Sequence, residues 1–561
     1  MFLPMTVAEA EQLGWNQLDI ILVTGDCYID SPHMGVAVIG KWLVVHGFRV
    51  GVIAQPDIES ADDITRLGAP LLFWGVTGGS VDSMVANYTA LKKRRQFDDY
   101  TPGGVNEKRP DRAIMVYANL IRRYFKPSPP IVLGGMEASL RRVAHYDFWT
   151  NSVRRSLLFD AKADYILYGM AERSVVGLAE RLRDNEPVDD LRGLCRIAKE
   201  PPENALHLPS YEESAEDKGT FIEMFRSFYN NNDPITARPM VQKTGDRWLV
   251  HNPPSAPLSV SEMDSVYDLD YERSVHPSYE GLGVVTALDT IRFSIATHRG
   301  CYGECNFCGI TAHQGRTVQW RSQRSIVAEA EQMARRPDFH GYLTLGGAPT
   351  GNMYGFECHR KHRTGACADR HCMTPTICEE LNVNHSRQTL LLEKIRAVKG
   401  VRKVFNTSGM RHDLVLADGD EGDAYLLDMI NNSISGQLKI APEHNSDYVL
   451  ELMGKPHSRS TVAFANRFYH LVRKTDKRVY LTYYLIAAHP GCDDQDMEEL
   501  HRFATEKLNI LPEQVQVFTP LPSTWSAVMY YTETNPFTGK KIFVEKDPKK
   551  KERQKKTVTG G

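Results

Sequence analysis

Residues 290–309 read TIRFSIATHRGCYGECNFCG, an alternating apolar run that opens into a Gly-flanked loop carrying Cys301, Cys305 and Cys308 at C-x3-C-x2-C spacing. The run predicts a strand over 290–297, and three thiols gathered just beyond a strand predict a metal site. Buried structural cysteines would not cluster in such a loop, and a disulfide with a spare thiol suits a secreted chain. Zinc asks for a fourth ligand, for which His313 is the nearest candidate in sequence. Thiolates at compact spacing favour an iron–sulfur cluster. Either metal leaves one coordination position to be filled by a distant residue, by nothing, or by a small molecule.

On the C-terminal side the pattern alternates helix and strand. Helices are expected over 325–336, 389–400, 423–432, 460–475 and 496–510, and strands over 342–347, 401–409, 437–442, 478–491 and 514–520. With the first strand these make six β/α steps, which predicts an open partial (β/α)6 barrel over 286–525. In β/α barrels the chemistry lies at the C-terminal ends of the strands, which is where the cysteine loop begins.

On the N-terminal side, apolar runs at 19–25, 48–54, 70–76, 130–135 and 164–169 alternate with amphipathic stretches such as 33–47 and 171–184. They predict an α/β fold with a Rossmann-like doubly wound domain over 1–185. Residues 186–285 are rich in Pro, Asn, Asp and Glu with weak periodicity, and are expected to form an extended, partly structured connection. Residues 526–561 form a C-terminal extension whose basic tail, KKIFVEKDPKKKERQKKTVTGG, is expected to be solvated and disordered.

A chain of 561 residues exceeds one ordinary core, so several domains are expected. A net charge of −3 gives no nucleic-acid footprint. No apolar run approaches the about 20 residues needed to cross a bilayer, and the opening MFLPMTVAEAEQLGW does not read as a signal peptide. Ten cysteines in such a chain are expected to be ligands in a reducing cytoplasm.

Several stretches together resemble the YgiQ-type branch of the radical SAM superfamily: GDCYIDSPHMG near the start, LGGMEASLRRVAHYDFW (133–149), RGCYGECNFCGI (299–310), LTLGGAPTGNMYG (343–355), LKIAPEH (438–444) and VFTPLPST (517–524). The resemblance implies a radical SAM partial barrel with a [4Fe–4S] cluster on Cys301, Cys305 and Cys308. S-adenosylmethionine (SAM) would complete the fourth iron and, on one-electron reduction, give a 5′-deoxyadenosyl radical that attacks a substrate. It further implies that Phe307 lies against the adenine and that Gly346 and Gly347 receive the SAM amino group. A reductant such as flavodoxin or ferredoxin is implied as partner. Two rival readings are a methylthiotransferase-like RNA modifier and a non-catalytic metal-binding scaffold. The first would need a second N-terminal cysteine cluster, and only Cys27 and Cys195 are available there.

A second set, Cys358, Cys367, Cys372 and Cys378, falls in an insertion over 356–381 with C-x8-C-x4-C-x5-C spacing. It reads as a further metal site, either structural zinc or a second iron–sulfur cluster, with His359, His362 and His371 as possible substitutes. DSPHMG (Asp30, His33, Gly35) departs in spacing from the Asp-x-His-x-x-Gly fingerprint of cobalamin domains, so cobalamin is not expected. Gly134–Gly135 is read as a tight strand–helix turn. The charged run of Glu137, Arg141, Arg142, His145 and Asp147 is read as a surface helix or as a face turned to the barrel.

Overall fold

The computed structural model describes residues 1–346, 348–367 and 370–560. The chain divides into two compact units. One comprises Met1–Pro257 and Ser265–Arg292, and the other Leu258–Asp264 and Phe293–Gly561. Each unit takes one short segment from within the other's stretch of chain. Among the described residues, no helix is long and apolar enough to cross a membrane.

The first unit is built on a nine-stranded sheet. Five strands are mutually parallel, in the spatial order Val50–Ala54, Ile20–Thr24, Phe73–Thr77, Ile131–Gly134, Tyr165–Leu167. Ile20–Thr24 is buried on both faces, which is why DIILVTG reads as a continuous apolar run. The chain order reverses between Ile20–Thr24 and Phe73–Thr77, and in sheets of this kind a ligand crevice opens at such a point. The helices Gly35–Val45, Ala113–Tyr124 and Glu172–Asp184 connect or follow these strands.

Residues 186–285 are more regular than their composition suggests. Leu194–Ala198, Arg247–His251, Met240–Thr244 and Leu206–Leu208 extend the same sheet, antiparallel except at its last pair. These strands are short and bounded by prolines, so they carry little apolar periodicity. Ser274–Val275 then pairs antiparallel with Ile29–Asp30.

The second unit contains two three-stranded parallel groups: Ser294–Ile295, Tyr342–Leu345 and Lys403–Asn406, then Gln437–Glu443, Tyr480–Ala487 and Val515–Val517. A parallel bridge between Met410 and Ile440 links them. The helices Gln323–Ala334, Ser386–Arg396, Gly419–Asn432 and Ser458–Val472 pack Ile326, Leu391, Leu426 and Phe464 into one apolar cluster with strand residues Leu343, Val404 and Ile440. The strand expected over 290–297 is shorter, because Thr286–Ile291 is helical and only Ser294–Ile295 pairs.

The basic tail is a helix, Pro548–Thr559, and not a disordered end. Asp547 caps it by accepting from the amides of Lys549 (2.7 Å) and Lys550 (3.1 Å), and Pro548 occupies the first turn. One stripe is buried: Val558 packs into an apolar cluster with Met497 and Leu500, and Lys551 Nζ donates to the Tyr530 hydroxyl at 2.8 Å. The remaining lysines face water, which hides the stripe in the composition.

Candidate functional site

The cysteine loop leaves a small ribbon in which His298–Arg299 pairs with Gln319–Trp320. Gly300 turns the chain at φ +83°, and a β-carbon there would run into the Thr317 carbonyl. Within the loop, the Gly303 amide donates to Cys301 Sγ at 3.3 Å, and the Cys308 amide donates to the Cys305 carbonyl at 3.0 Å. A β-carbon on Gly303 would lie 2.8 Å from Arg411 Nη1 and 3.3 and 3.6 Å from the Cys301 and Cys305 sulfurs. The Cys301 and Cys305 sulfurs and Arg411 thus crowd Gly303, and only a glycine leaves them this close. Burial, then the neighbouring Cys305 thiol, raises the pKa of Cys301 and pushes that of Cys308 up to about 12. Metal coordination is what deprotonates thiols in such surroundings.

Arg411 is the cation of the site. Its Nη1 donates to Cys305 Sγ at 3.7 Å, while Nε and Nη2 hold Asp413 at 2.9 and 2.5 Å. Burial alone would raise the Asp413 pKa, but Arg411 overrides it and holds the carboxyl at about 2. Asn352 fixes the Arg411 backbone by accepting from its amide (2.8 Å) and donating to its carbonyl (3.0 Å). Thr350 Oγ1 lies 3.9 Å from Cys301 Sγ. Arg411, Asn352 and Thr350 were not singled out from the sequence. They follow other strands, and the strings GMRHD (409–413) for Arg411 and LTLGGAPTGNMYG (343–355) for Thr350 and Asn352 are the signals that could have pointed to them.

On its other flank the loop is stitched to the rest of the unit through Asn306. The Asn306 amide donates to the Met453 carbonyl (2.8 Å), its side chain donates to the Leu452 carbonyl (3.0 Å), and its carbonyl accepts from Ser526 (2.9 Å). Phe307 packs against a cluster that includes Val449, Met453 and Cys492, and its ring meets that of His489 edge-on at 6.3 Å. Two neighbouring strands end in non-glycine residues at positive φ, Glu443 (72°) and Ala488 (59°). Such conformations cost of order 1–3 kcal/mol and gather at functional sites. Glu443 pairs with the buried Lys455 at 3.5 Å. The adjacent His444 and His489 are fully buried, and burial lowers both to a pKa of about 3. Gly346 ends the strand Tyr342–Leu345, where a β-carbon would come within 2.8 and 2.9 Å of the Ser294 and Thr407 hydroxyls. Gly347 lies outside the described residues.

Among the described residues, no group of three or more His, Cys, Asp or Glu side chains could hold a single metal ion. A zinc cage of Cys301, Cys305, Cys308 and His313 is therefore not formed. A cubane places each thiolate on a different iron, so its three thiols need not gather on one point as the ligands of a single ion do.

Residues 2–294 match the family model described as Radical SAM N-terminal, and residues 295–504 match the Radical SAM superfamily. A UPF0313 protein of Fusobacterium nucleatum is 54% identical over 559 residues, covering 100% of this chain and 98% of the relative. A UPF0313 protein of Thermotoga maritima is 47% identical over 561 residues, again covering 100% and 98%. The chain belongs to the UPF0313 family of radical SAM proteins. It is accordingly a radical SAM enzyme, with a [4Fe–4S] cluster and SAM as its cofactors. Two solved structures share the fold at low identity. The radical SAM methyltransferase TsrM of Kitasatospora setae, with cobalamin and a [4Fe–4S] cluster bound, has a TM-score of 0.54 at 13% identity over 92% of this chain and 75% of that one. The cobalamin-dependent radical enzyme OxsB, with aqua-cobalamin bound, has a TM-score of 0.50 at 12% identity over 94% and 57%.

At the switch point of the first sheet of the UPF0313 chain, the strand ends pack closely. A β-carbon on Gly25 would strike the Gly78 carbonyl, one on Gly78 the Glu137 carboxylate, and one on Gly79 the Asp26 carboxylate, so these strand ends already touch. Asp26 accepts from the Ser80 amide at 2.6 Å and pairs with Arg109 at 2.5 Å, and Arg141 pairs with Asp82. The charged run is not a surface helix: Glu137, Arg141, Arg142, His145 and Asp147 are all buried. Buried charges are costly unless paired, and Asp26–Arg109 and Asp82–Arg141 are such pairs.

The second cysteine set lies in the second unit. Cys358 is buried and caps the short helix His359–Thr364, while Cys367, Cys372 and Cys378 are partly buried. His359 and His362 turn to Glu357, at 3.5 and 2.9 Å. None of the cysteines forms a disulfide.

Proposed function

We propose that Cys301, Cys305 and Cys308 hold the [4Fe–4S] cluster and that SAM takes its open position. The reading is carried by the cysteine loop, where a β-carbon on Gly303 would lie 3.3 and 3.6 Å from the Cys301 and Cys305 sulfurs and 2.8 Å from Arg411 Nη1. A cluster held by these cysteines would supply the electron for reductive cleavage of SAM to methionine and a 5′-deoxyadenosyl radical. The Arg411 guanidinium offsets negative charge at the Cys305 thiolate. Phe307 would cover the adenine, and the backbone at Gly346 and Gly347 would receive the SAM amino group. The buried Glu443, His444 and His489 at the ends of adjacent strands, with Lys455 paired to Glu443, would keep this flank of the loop closed to water and limit side reactions of a radical. The architecture that serves this is a Rossmann-like domain followed by a partial (β/α)6 barrel, working in the cytoplasm with a flavodoxin- or ferredoxin-type reductant.

Anaerobic reconstitution with iron and sulfide, followed by electron paramagnetic resonance with and without SAM, tests the reading. A reduced-cluster spectrum that changes on adding SAM, with 5′-deoxyadenosine formed, is expected. An unchanged spectrum and no nucleoside would overturn it.

A further inference from the structure

The four cysteines of residues 356–381 take no part in the function above, yet Cys358, Cys372 and Cys378 are tied together. One lysine serves two of them: the Lys361 amide donates to Cys358 Sγ at 3.4 Å, and Lys361 Nζ lies 3.7 Å from Cys372 Sγ. The Cys378 amide donates to the Cys372 carbonyl at 2.9 Å, which brings a third cysteine's backbone to the same place. Beside Cys372, His371 leaves a buried ring nitrogen, Nδ1, without a hydrogen-bond partner. N–H groups directed at sulfur are the outer contacts that tune thiolate-ligated clusters.

The segment also lacks the means to hold itself together. Its regular structure is one six-residue helix and a three-residue turn, Glu379–Leu381. Its buried apolar side chains, Phe356, Met373 and Leu381, join Cys358 in a cluster completed from outside by Tyr302, Met353 and Leu414. Segments so short of core are commonly held by metal. Charge agrees, since Lys361 Nζ lies 3.7 Å from the Cys372 sulfur and would offset part of the charge of an anionic tetrathiolate centre.

The identity of the metal follows from comparison within the chain. Neither cysteine set is gathered tightly enough for a single ion among the described residues. The first set belongs to a family that places a multi-iron cluster there, and the second shares its all-thiol composition. We propose that Cys358, Cys367, Cys372 and Cys378 hold a second iron–sulfur cluster, closed by four protein thiolates and therefore without an open position for SAM. Lys361 ties this centre to the first, because its Nζ also lies 3.5 Å from Glu304, the residue preceding Cys305.

The inference stands apart from the SAM-binding reading and is tested separately. The triple variant Cys301→Ala, Cys305→Ala, Cys308→Ala, reconstituted anaerobically, should retain iron and acid-labile sulfide in equal amounts, about two to four of each per chain. Its spectrum should not respond to SAM, and adding Cys372→Ala should remove the iron. Zinc in place of iron, or no metal in the triple variant, would overturn the proposal. Should the triple variant fail to fold, the unaltered chain decides: iron for two clusters supports the proposal, and iron for one alone overturns it. A Cys358→Ala, Cys372→Ala variant whose spectrum ignores SAM would instead count against the first site.

Discussion

Arg411 brings a guanidinium nitrogen to 3.7 Å from the Cys305 sulfur while the same group holds Asp413 in a two-pronged pair. A buried cation donating to a cluster thiolate favours the more negative, reduced state, and its own counter-ion keeps the cost of burial in check. The double variant Arg411→Met, Asp413→Asn removes the pair without orphaning a carboxylate. It should retain its iron and lower the cluster's reduction potential by on the order of 50 mV, read by redox titration of the paramagnetic signal. The single variant Arg411→Met should be destabilised by about 3–5 kcal/mol, because Asp413 is left buried and unpaired.

Gly303→Ala introduces a methyl group 3.3 Å from the Cys301 sulfur and 2.8 Å from Arg411 Nη1. Iron and visible cluster absorbance should fall by half or more. The thermal midpoint of the metal-free chain should move little, since the loop is not part of the main apolar cluster. Full iron retention would mean that the loop opens further than its glycine implies.

Acid should destabilise the second unit through His444 and His489. Burial holds both at a pKa of about 3, against about 6.5 for an imidazole in an unfolded chain. Between those values the unfolded chain binds protons that the folded one excludes. The stabilisation is complete above about pH 6.5 and is lost progressively as pH falls toward 3, at about 1.4 kcal/mol per pH unit for each group. His444→Phe should therefore flatten the dependence of urea-unfolding stability on pH between about pH 6 and pH 4. An unchanged slope would show that His444 takes up its proton while folded.

The C-terminal helix should behave as part of the core. Val558 is fully buried, so Val558→Ala should cost about 2 kcal/mol in chemical denaturation. A disordered tail would give no change at all.

The cysteine loop could be picked out from the sequence as a candidate site because its spacing is local and its chemistry is carried by residue type. Most strands of the parallel sheet were also legible, since burial on both faces turns them into unbroken apolar runs such as IILV. Arg411, Asn352 and Glu443 were not legible. An arginine, an asparagine and a glutamate at strand ends are ordinary residues until packing brings them to the loop. The run from Glu137 to Asp147 misled for a related reason. Charged residues suggest a surface, and only the partners Ser83, Asp82 and Arg112 explain how they are buried. The strands of 186–285 escaped notice because short antiparallel pairs at a sheet margin, such as Met240–Thr244 with Arg247–His251, leave few apolar residues to count.

The two units exchange short segments of chain, and this limits how the gene can be divided. A fragment ending at Pro257 would lack Ser274–Val275, the pairing partner of Ile29–Asp30. A fragment beginning at Phe293 would lack Leu258, whose amide donates to Gln319 at 2.7 Å, and Asp264, which accepts from the Ser322 amide at 2.8 Å. No single cut yields two complete halves, so module shuffling or split-protein reassembly at one junction would deliver at least one damaged piece. The two units can be recombined only with the crossing segment carried alongside both.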